Sequence, residues 1–306
     1  MDRITLKAMA KINLGLDVIR RREDGYHEVR MIMQTVDLCD ELSFQRLKED
    51  ELRLATNLDF LPTDQNNLII RAAKLLKEEF GIREGLDVNL TKRIPVAAGM
   101  AGGSTDAAAV FVAMNELFSL GLSDDDLRKR AVAIGADVPY CITGGTALSE
   151  GIGEILTPLP AAPACTVIVA KPPIHVSTAF VYRNLDLSGL ERHPDIDGML
   201  ECIRRQDLCG VAERLENVLE SVTVKKYPII ARIKEFLTSR GALGALMSGS
   251  GPTVFALYDD GEKAAWVHEE LRKSGLVKES CLTSFADRTC MKTGGKMGVR
   301  ERNLRV

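Results

Sequence analysis

Three glycines stand close together where a predicted strand meets a predicted helix. Gly99, Gly102 and Gly103 follow an alternating apolar stretch and precede a strongly helical, alanine-rich one. Glycine lets backbone N–H groups approach a ligand, and the start of a helix adds unsatisfied donors and the positive end of its dipole. The spacing therefore predicts an anion-binding turn, with a tight turn that holds no ligand as the alternative. Ser104 and Thr105 can cap the helix or turn a hydroxyl toward a phosphate or its metal.

Two common phosphate-binding motifs are absent from the sequence, which excludes two kinds of anion site. No Walker string G-x-x-x-x-G-K-[ST] occurs, and the partial dinucleotide fingerprints at Gly151 and Gly249 lack a third glycine. A second glycine loop, residues 248–252, lies between two predicted strands. Alone it is equally compatible with a hairpin turn, whereas together with the first loop it predicts the far wall of a cleft between domains.

The elements that must position these loops follow two patterns, separated by a Pro- and Ala-rich passage at residues 157–164. Strands are predicted at residues 4–9, 12–18, 26–36, 41–47, 86–94, 165–170, 243–247, 253–258 and 277–285. Helices are predicted at residues 67–80, 106–117, from Ser123 to near Gly135, two or three times within residues 195–240, and at residues 262–273. The order of strands and helices after residue 164 predicts an open α+β sandwich with helices on one sheet face. The predicted domains are residues 1–160 and 161–287. Residues 288–306 form a basic tail, read as frayed, with an arm for an anionic partner as the alternative.

Composition limits the classes of protein to which the chain can belong. Its 306 residues are 45% hydrophobic and 27% charged, which is typical of a globular protein. A net charge of −3 argues against a nucleic-acid binder, and the longest apolar run, residues 107–114, is too short to span a bilayer. Seven cysteines in no regular framework and only four histidines predict reduced thiols and no protein-built zinc site. Because Lys7, Lys11 and Asn13 interrupt any apolar signal core, we expect a cytoplasmic protein.

Three segments together resemble the GHMP kinase superfamily, the group of galactokinase, homoserine kinase and mevalonate kinase. They are residues 8–16 (AMAKINLGL), residues 95–105 (PVAAGMAGGST) and residues 244–253 (GALMSGSGPT). The resemblance runs from about residue 5 to residue 287. It implies a two-domain α+β fold with a ribosomal-protein-S5-like N-terminal domain, a ferredoxin-like C-terminal domain and an active-site cleft between them.

Three further strings narrow the resemblance to one branch of that superfamily. They are residues 24–28 (DGYHE), residues 135–139 (GADVP), and residues 171–173 (KPP) followed by residues 176–178 (VST). The resemblance implies an ATP-dependent kinase, with Mg²⁺ carried by the nucleotide, that phosphorylates the 2-hydroxyl of a methylerythritol bearing a cytidine diphosphate head group. It implies a role in the methylerythritol phosphate pathway of isoprenoid biosynthesis. The expected partner is this small molecule, with no nucleic acid or membrane, and the chain is expected to be a monomer or weak homodimer.

The resemblance assigns the proton transfer to Asp137 and places Lys11 beside the same hydroxyl. An alcohol is a poor acid, so a fixed carboxylate must take its proton as the P–O bond forms. A nearby ammonium would keep that carboxylate ionised and stabilise the developing negative charge. Without the resemblance, Asp137 is more simply a helix-terminal carboxylate after Gly135, and Lys11 a solvated strand lysine.

The resemblance also implies that the triphosphate lies along the first glycine loop, with Asn67 and Lys92 near the nucleotide. The loop positions are Pro95, Val96, Ala97, Ala98, Gly99, Met100, Ala101, Gly102, Gly103, Ser104 and Thr105. Asn67 alternatively caps the helix that follows, and Lys92 alternatively is a surface charge at a strand end. Asp106 stands where relatives frequently carry Asn, and an acid there must point away from the phosphates or reach the metal. No direct protein ligand to the metal is predicted.

Five positions resemble those that bind the cytidine-bearing substrate. Tyr26, His27 and Tyr182 match positions that stack on cytosine and read its polar edge, and Asn13 and Thr178 match neighbours of the polyol and the diphosphate. Taken singly, the tyrosines are more simply half-buried aromatics, and His27 a surface residue at a turn. Two alternatives stay open: another GHMP kinase for homoserine, mevalonate or a sugar, and a non-catalytic nucleotide-sensing protein. The first has no need of the cytosine positions, and the second has no use for a proton acceptor.

Overall fold

The computed structural model describes residues 2–190 and 192–287, and the backbone of residues 290–292. The strands are β1 (Arg3–Arg21), β2 (His27–Leu47), β3 (Leu52–Thr56), β4 (Gly85–Thr91), β5 (Thr146–Glu150), β6 (Ile155–Pro158), β7 (Thr166–Lys171), β8 (Glu216–Asn217), β9 (Gly244–Met247), β10 (Val254–Tyr258), β11 (Glu279–Ser284) and β12 (Cys290–Lys292). The helices are α1 (Leu68–Phe80), α2 (Gly102–Leu117), α3 (Asp124–Ala131), α4 (Val138–Thr143), α5 (Thr178–Arg183), α6 (Ile196–Arg204), α7 (Leu208–Glu213), α8 (Glu220–Lys226), α9 (Ile229–Thr238) and α10 (Gly261–Lys273).

The strands form two sheets, which is the predicted α+β class. The first sheet has the order β12-β1-β2-β4-β3, while β5 pairs with β2 and β6, and β8 pairs with β1. Its β3 and β4 are parallel neighbours joined through α1. The second sheet has the antiparallel order β11-β7-β10-β9. The chain passes between the sheets in the loop from β6 to β7, within the predicted boundary passage, although β8 and β12 return to the first sheet.

Local signals explain where several helices begin and end. Asn67 caps α1 by accepting a hydrogen bond from the N–H of Ile69 at 3.0 Å, and Gly81 ends that helix in a left-handed conformation. A capping box of Ser123 and Asp126 starts α3. By contrast, α2 is alanine-rich and buried on most sides, against α1, α4 and β1. It is therefore held by burial rather than by an amphipathic stripe.

One β-bulge explains two breaks that the sequence places inside β1 and β2. The pairing shifts between Met9, opposite Cys39, and Ala10, opposite Val36. The extra residues disturb the alternation of both strands, so each was predicted as two shorter strands. Seven short elements were not predicted: β3, β5, β6, β8, β12, α4 and α5. The segment predicted to hold two or three helices contains four, and α2 begins at Gly102 rather than at residue 106.

The predicted basic tail falls mostly outside the described residues. Of this tail, the structure describes only the backbone of β12, which pairs antiparallel with β1 around Lys7. In the part of the chain that the structure describes, no helix is both long enough and apolar enough to cross a membrane.

Candidate active site

Both glycine loops open onto one cavity of about 1220 Å³. Its walls come from β1, β2, the start of α2, α5 and the loop between β9 and β10. The predicted site residues that line it are Lys11, Asn13, Tyr26, His27, Ala97, Ala98, Gly99, Ala101, Gly102, Gly103, Ser104, Asp137, Thr178 and Tyr182. The predicted site residues that do not line it are Asn67, Lys92, Pro95, Val96, Met100 and Thr105.

Lys11 and Asp137 meet in this cavity. The Lys11 Nζ lies 3.8 Å from Asp137 Oδ2 and donates a hydrogen bond to Asn13 Oδ1 at 2.7 Å. The Lys11 side chain is only 5% exposed, so the alternative of a solvated strand lysine is wrong, whereas the Asp137 side chain is 33% exposed. An oxygen atom bound between the ammonium and the carboxylate could reach both within hydrogen-bond distance.

The short helix α4 fixes the backbone of Asp137 without using its side chain. Asp137 is the N-cap residue, with Pro139 in the first turn, yet its carboxylate makes no capping hydrogen bond. The Tyr140 hydroxyl ties α4 to its surroundings, since it lies 3.0 Å from Thr35 Oγ1 and donates to the Gly145 carbonyl at 2.7 Å. Burial raises the pKa of Tyr140, so this hydroxyl stays protonated. The Asp137 carboxylate is thus left to face the cavity.

The first glycine loop enters α2 with its backbone donors uncapped. Ala101, the N-cap residue, has a left-handed φ of 55° and makes no side-chain hydrogen bond. Gly102, Gly103 and Ser104 follow in the first turn and line the cavity. Negative charge there is stabilised by the unsatisfied N–H groups and the helix dipole. The cap considered for Ser104 and Thr105 is not formed, because both lie inside α2, and the buried Thr105 hydroxyl has no hydrogen-bond partner among the described residues.

The two glycine loops pack directly against each other. Ser248 Oγ donates a hydrogen bond to the Gly99 carbonyl at 2.8 Å. The second loop joins the antiparallel neighbours β9 and β10, so it is a hairpin connection and also a wall of the cavity, through Gly249 and Ser250. The Thr178 Oγ1 lies 2.8 Å from Ser250 Oγ, which joins α5 to that wall.

A second cluster in the same cavity is aromatic. The ring centroids of His27 and Tyr182 lie 5.1 Å apart with an interplanar angle of 40°. Burial, and after it the charge of Arg21, lowers the pKa of His27, so the imidazole is neutral at pH 7. A neutral imidazole offers one donor and one acceptor, the two kinds of group that read a nucleobase edge. Tyr26 is 59% exposed, so the half-buried alternative is wrong for that tyrosine.

Known proteins are similar to this chain in sequence and in fold. Two family profiles match, GHMP kinases N terminal domain at residues 67–145 and GHMP kinases C terminal at residues 193–276. The chain is 55% identical to the 4-diphosphocytidyl-2-C-methyl-D-erythritol kinase of Lachnoclostridium phytofermentans, over 93% of this chain and 98% of the relative. The chain belongs to the GHMP kinases, in the family of 4-diphosphocytidyl-2-C-methyl-D-erythritol kinases. A kinase of the same name from Geobacillus kaustophilus is 52% identical over 88% of this chain and 93% of the relative.

Solved GHMP kinase structures superpose on this one. A crystal structure of 4-(cytidine 5'-diphospho)-2C-methyl-D-erythritol kinase has a TM-score of 0.79 at 32% identity, over 92% of this chain and 99% of the other. Homoserine kinase from Cytophaga hutchinsonii shares the fold, with a TM-score of 0.77 at 20% identity, over 95% of this chain and 98% of the other. The two-domain GHMP kinase fold implied by the sequence resemblance is therefore confirmed.

Beneath the first glycine loop, this GHMP kinase buries a cluster of Lys92, Asp40 and Asp106. The Lys92 Nζ donates hydrogen bonds to Asp106 Oδ2 at 2.8 Å and to Asp40 Oδ2. None of the three side chains is more than 4% exposed, so the alternative of a surface charge is wrong for Lys92. A Cβ built on Gly102 would lie 2.8 Å from the Lys92 Nζ, which puts the ammonium directly under the start of α2. Asp106 points toward Lys92 and does not line the cavity.

The protonation states in this cluster follow from burial and pairing. Burial is the main cause that raises the pKa of Asp106 to about 8; Lys92 opposes the rise and Asp40 adds to it. Burial works to lower the pKa of Lys92, but the two carboxyl groups outweigh it, and that pKa is raised. Asp40 also accepts the backbone N–H groups of Arg93 at 2.5 Å and Ile94 at 2.8 Å. We therefore assign the cluster one ammonium, at Lys92, and at neutral pH a mostly protonated Asp106, with Asp40 accepting the hydrogen bonds of Lys92 and of the two backbone groups.

Asn67 and Met100 support the scaffold instead of lining the cavity. Asn67 caps α1, so the alternative of a helix cap is correct for this residue. Its side chain also donates a hydrogen bond to the Pro62 carbonyl at 2.8 Å. The Met100 carbonyl accepts the backbone N–H of Lys11 at 3.2 Å. The first glycine loop is thereby joined to the strand that carries Lys11.

Asn217, which no sequence motif marks, holds the second glycine loop in place. Its Nδ2 donates to the carbonyls of Met247 and Gly249, each at 2.8 Å. Its partners are backbone groups about 30 residues away, so no motif marks the position. A buried asparagine of this kind becomes recognisable only when the fold is known.

Gly99→Ala is expected to separate the two glycine loops. Gly99 has φ 74°, and a Cβ there would lie 2.2 Å from the Ser248 carbonyl oxygen. The left-handed backbone and the overpacking together should lower the free energy of unfolding by roughly 2–4 kcal/mol and weaken ATP binding. Urea unfolding measures the first effect. Gly81→Ala is the matched control, because its φ is 63° but nothing lies within 4 Å of the added carbon. Equal losses in both variants would show that the loop contact has no effect.

Proposed function

We propose that the chain transfers the γ-phosphoryl group of ATP to the 2-hydroxyl of 4-diphosphocytidyl-2-C-methyl-D-erythritol, giving the 2-phosphate and ADP. One observation carries the proposal: a single cavity contains a lysine–carboxylate pair, an uncapped helix start and a neutral histidine beside a tyrosine. Relatives aligned over nearly their whole length bear the name of this kinase. We place the reaction in the cytoplasm, as a step of the methylerythritol phosphate pathway, in a monomer or weak homodimer.

In the proposed reaction, the substrate hydroxyl lies between Lys11 and Asp137. Its oxygen attacks the γ-phosphorus as its proton passes to the Asp137 carboxylate. The new P–O bond forms as the bond to the β-phosphate oxygen breaks, and ADP leaves with that electron pair. Asn13 holds the Lys11 ammonium in place, and the ammonium stabilises the negative charge that develops on the transferred group.

The triphosphate is assigned to the uncapped start of α2. Gly102, Gly103 and Ser104 line the cavity there, and the nearby acid Asp106 is turned away toward Lys92. Mg²⁺ carried by the nucleotide would neutralise phosphate charge at this turn. The described residues contain no group of three or more His, Cys, Asp or Glu side chains that could hold a metal ion. We assign phosphate binding to the start of α2 and the positioning of the hydroxyl to Lys11 and Asp137.

Steady-state kinetics with three acceptors tests the proposal. ADP release should be fast with 4-diphosphocytidyl-2-C-methyl-D-erythritol and near background with mevalonate or homoserine. A reversed preference would identify another GHMP kinase. Binding of ATP with no ADP release from any of the three would favour the nucleotide-sensing alternative.

His27→Ala is expected to raise KM for the cytidine-bearing substrate by about 10–100-fold, since hydrogen bonds that select a base are lost. The KM for ATP should stay within about twofold, because the first glycine loop is untouched. His268→Ala is the matched control, since His268 contacts Ser280 and does not line the cavity. Equal increases in both KM values for His27→Ala would indicate a folding defect and contradict the assignment.

A further inference from the structure

Three consecutive arginines lie at the end of β1, with Arg20 and Arg21 inside the strand and Arg22 directly after it, and they differ in their ion-pair partners. The Arg20 Nε contacts Glu28 Oε2 at 2.5 Å, and the Arg22 Nε donates to Asp24 Oδ2 at 3.0 Å. Arg21 forms no ion pair with any described residue, and it lines the cavity. The middle arginine is therefore the one whose charge is left for a ligand.

A second arginine reaches the cavity from the other half of the chain. Arg183 ends α5, and it lines the cavity together with Thr178, Ala179 and Tyr182 of the same helix. These four positions lie on one helix face. Arg183 is exposed and, like Arg21, forms no ion pair within the described part of the chain.

The two arginines lie beside the same aromatic contact. Arg21 is the direct strand partner of His27, and its charge contributes to the low pKa of that histidine. Arg183 follows Tyr182, whose ring contacts His27. Cations from both halves of the chain thus line the cavity that holds the proposed cytosine site.

The charges that line the cavity leave a cationic excess. The described lining contains the cations Lys11, Arg21 and Arg183 and the carboxylates Asp137 and Asp186. Asp137 faces Lys11, and Asp186 Oδ1 accepts hydrogen bonds from the Ser188 hydroxyl and from nearby backbone N–H groups. With Lys11 paired to Asp137, the two arginines outnumber the one remaining carboxylate of the lining, Asp186, so the cavity favours an anion that contacts both halves of the chain.

We propose that Arg21 and Arg183 bind the diphosphate bridge of the substrate. This inference rests on the proposed function, in which cytosine lies at His27 and Tyr182 and the hydroxyl at Lys11 and Asp137. The diphosphate connects those two parts of the substrate, so it must pass through the cavity between them. Guanidinium groups bind phosphate oxygens in bidentate, charge-assisted fashion, which makes arginine suited to this position. Arg21 and Arg183 are thus specificity-determining residues for the diphosphate.

Calorimetry with CDP and with cytidine tests the assignment independently of catalysis. The native protein should bind CDP at least about tenfold more tightly than cytidine, since each charge-assisted contact contributes about that factor or more. In Arg21→Gln, Arg183→Gln and the double variant, this preference should fall stepwise toward equality while cytidine affinity is unchanged. Arg20→Gln removes the same charge from the neighbouring position and should keep the preference, because Arg20 does not line the cavity. Arg21→Lys and Arg183→Lys should restore part of it.

Kinetics then separates this inference from the proposed function. The double variant should raise KM for the cytidine-bearing substrate with kcat and the KM for ATP unchanged, and raising NaCl should weaken CDP binding less than in the native protein. The inference is wrong if the double variant keeps the CDP preference, if the native protein shows none, or if ATP binding is lost instead. In each of those cases the proposed function stands as long as the native protein phosphorylates 4-diphosphocytidyl-2-C-methyl-D-erythritol. No phosphorylation of it by the native protein would overturn both.

Discussion

Replacing Asp137 by Asn is expected to lower kcat by about 10²–10⁴-fold while ATP binds as before. The amide has nearly the shape of the carboxylate but cannot accept the hydroxyl proton. The Asp137 side chain makes no capping hydrogen bond to α4, so the backbone around it should not change. Because the triphosphate is assigned to the start of α2, the ATP affinity should be insensitive to the substitution.

Rapid-quench measurement of a single turnover checks this expectation, with ATP binding measured by calorimetry in the same variants. Lys11→Ala should lose most turnover as well, since it removes the ammonium 3.8 Å from Asp137. Asp125→Asn is a matched control, because Asp125 is an exposed residue of α3 that pairs with Arg128 and does not line the cavity. Near-normal turnover in both Asp137→Asn and Lys11→Ala would remove these two residues from the proposed mechanism.

The parts of the fold that could be predicted from sequence carry their own local signals. The helix α1 has an N-cap asparagine and a C-terminal glycine, and α3 has a capping box. Three strands of the second sheet, β7, β9 and β10, were predictable because each is a short apolar run bounded by turn residues. The helix α4 was not predicted, because six residues with Pro139 among them show no clear period.

The residues of the candidate site also differ in whether a local sequence signal marks them. The glycine loops are recognisable because the residue type itself is the signal, and the resemblance to GHMP kinases extended that signal to Lys11 and Asp137. Their separation of 3.8 Å is set by how β1 and α4 pack, which no short stretch of sequence encodes. Lys92 looked like a surface charge because its two partners, Asp40 and Asp106, come from β2 and α2. Burial of a charge can be predicted only when the partners that compensate it are known.

Lys92→Met is expected to lower the free energy of unfolding by about 3–5 kcal/mol, the usual cost of leaving a buried charge without its partner. Asp40, which is fully buried, would then lose the ammonium that compensates it and keep the backbone donors of Arg93 and Ile94. Chemical unfolding in urea measures the loss. In the double variant Lys92→Met, Asp40→Asn, part of the stability should return, since no charge is then left unpaired. If the double variant is less stable than Lys92→Met alone, the buried charge of Asp40 is not the cause.

Asp106→Asn tests how the stability contributed by the same cluster depends on pH. The amide can still accept the hydrogen bond from Lys92, but it cannot ionise. The pKa of Asp106 is raised from 3.8 to about 8 in the folded protein. Between those pH values the folded state holds a proton that the unfolded state releases, so the stability from Asp106 is present at low pH and is lost as the pH rises toward 8. The difference in unfolding free energy between the native protein and Asp106→Asn should therefore fall by up to about 1.4 kcal/mol per pH unit across this window. It should then level off at higher pH. A difference that stays constant from pH 5 to about pH 8, or one that grows, would mean that Asp106 is ionised in the folded protein and that the cluster carries a net negative charge beneath the phosphate site.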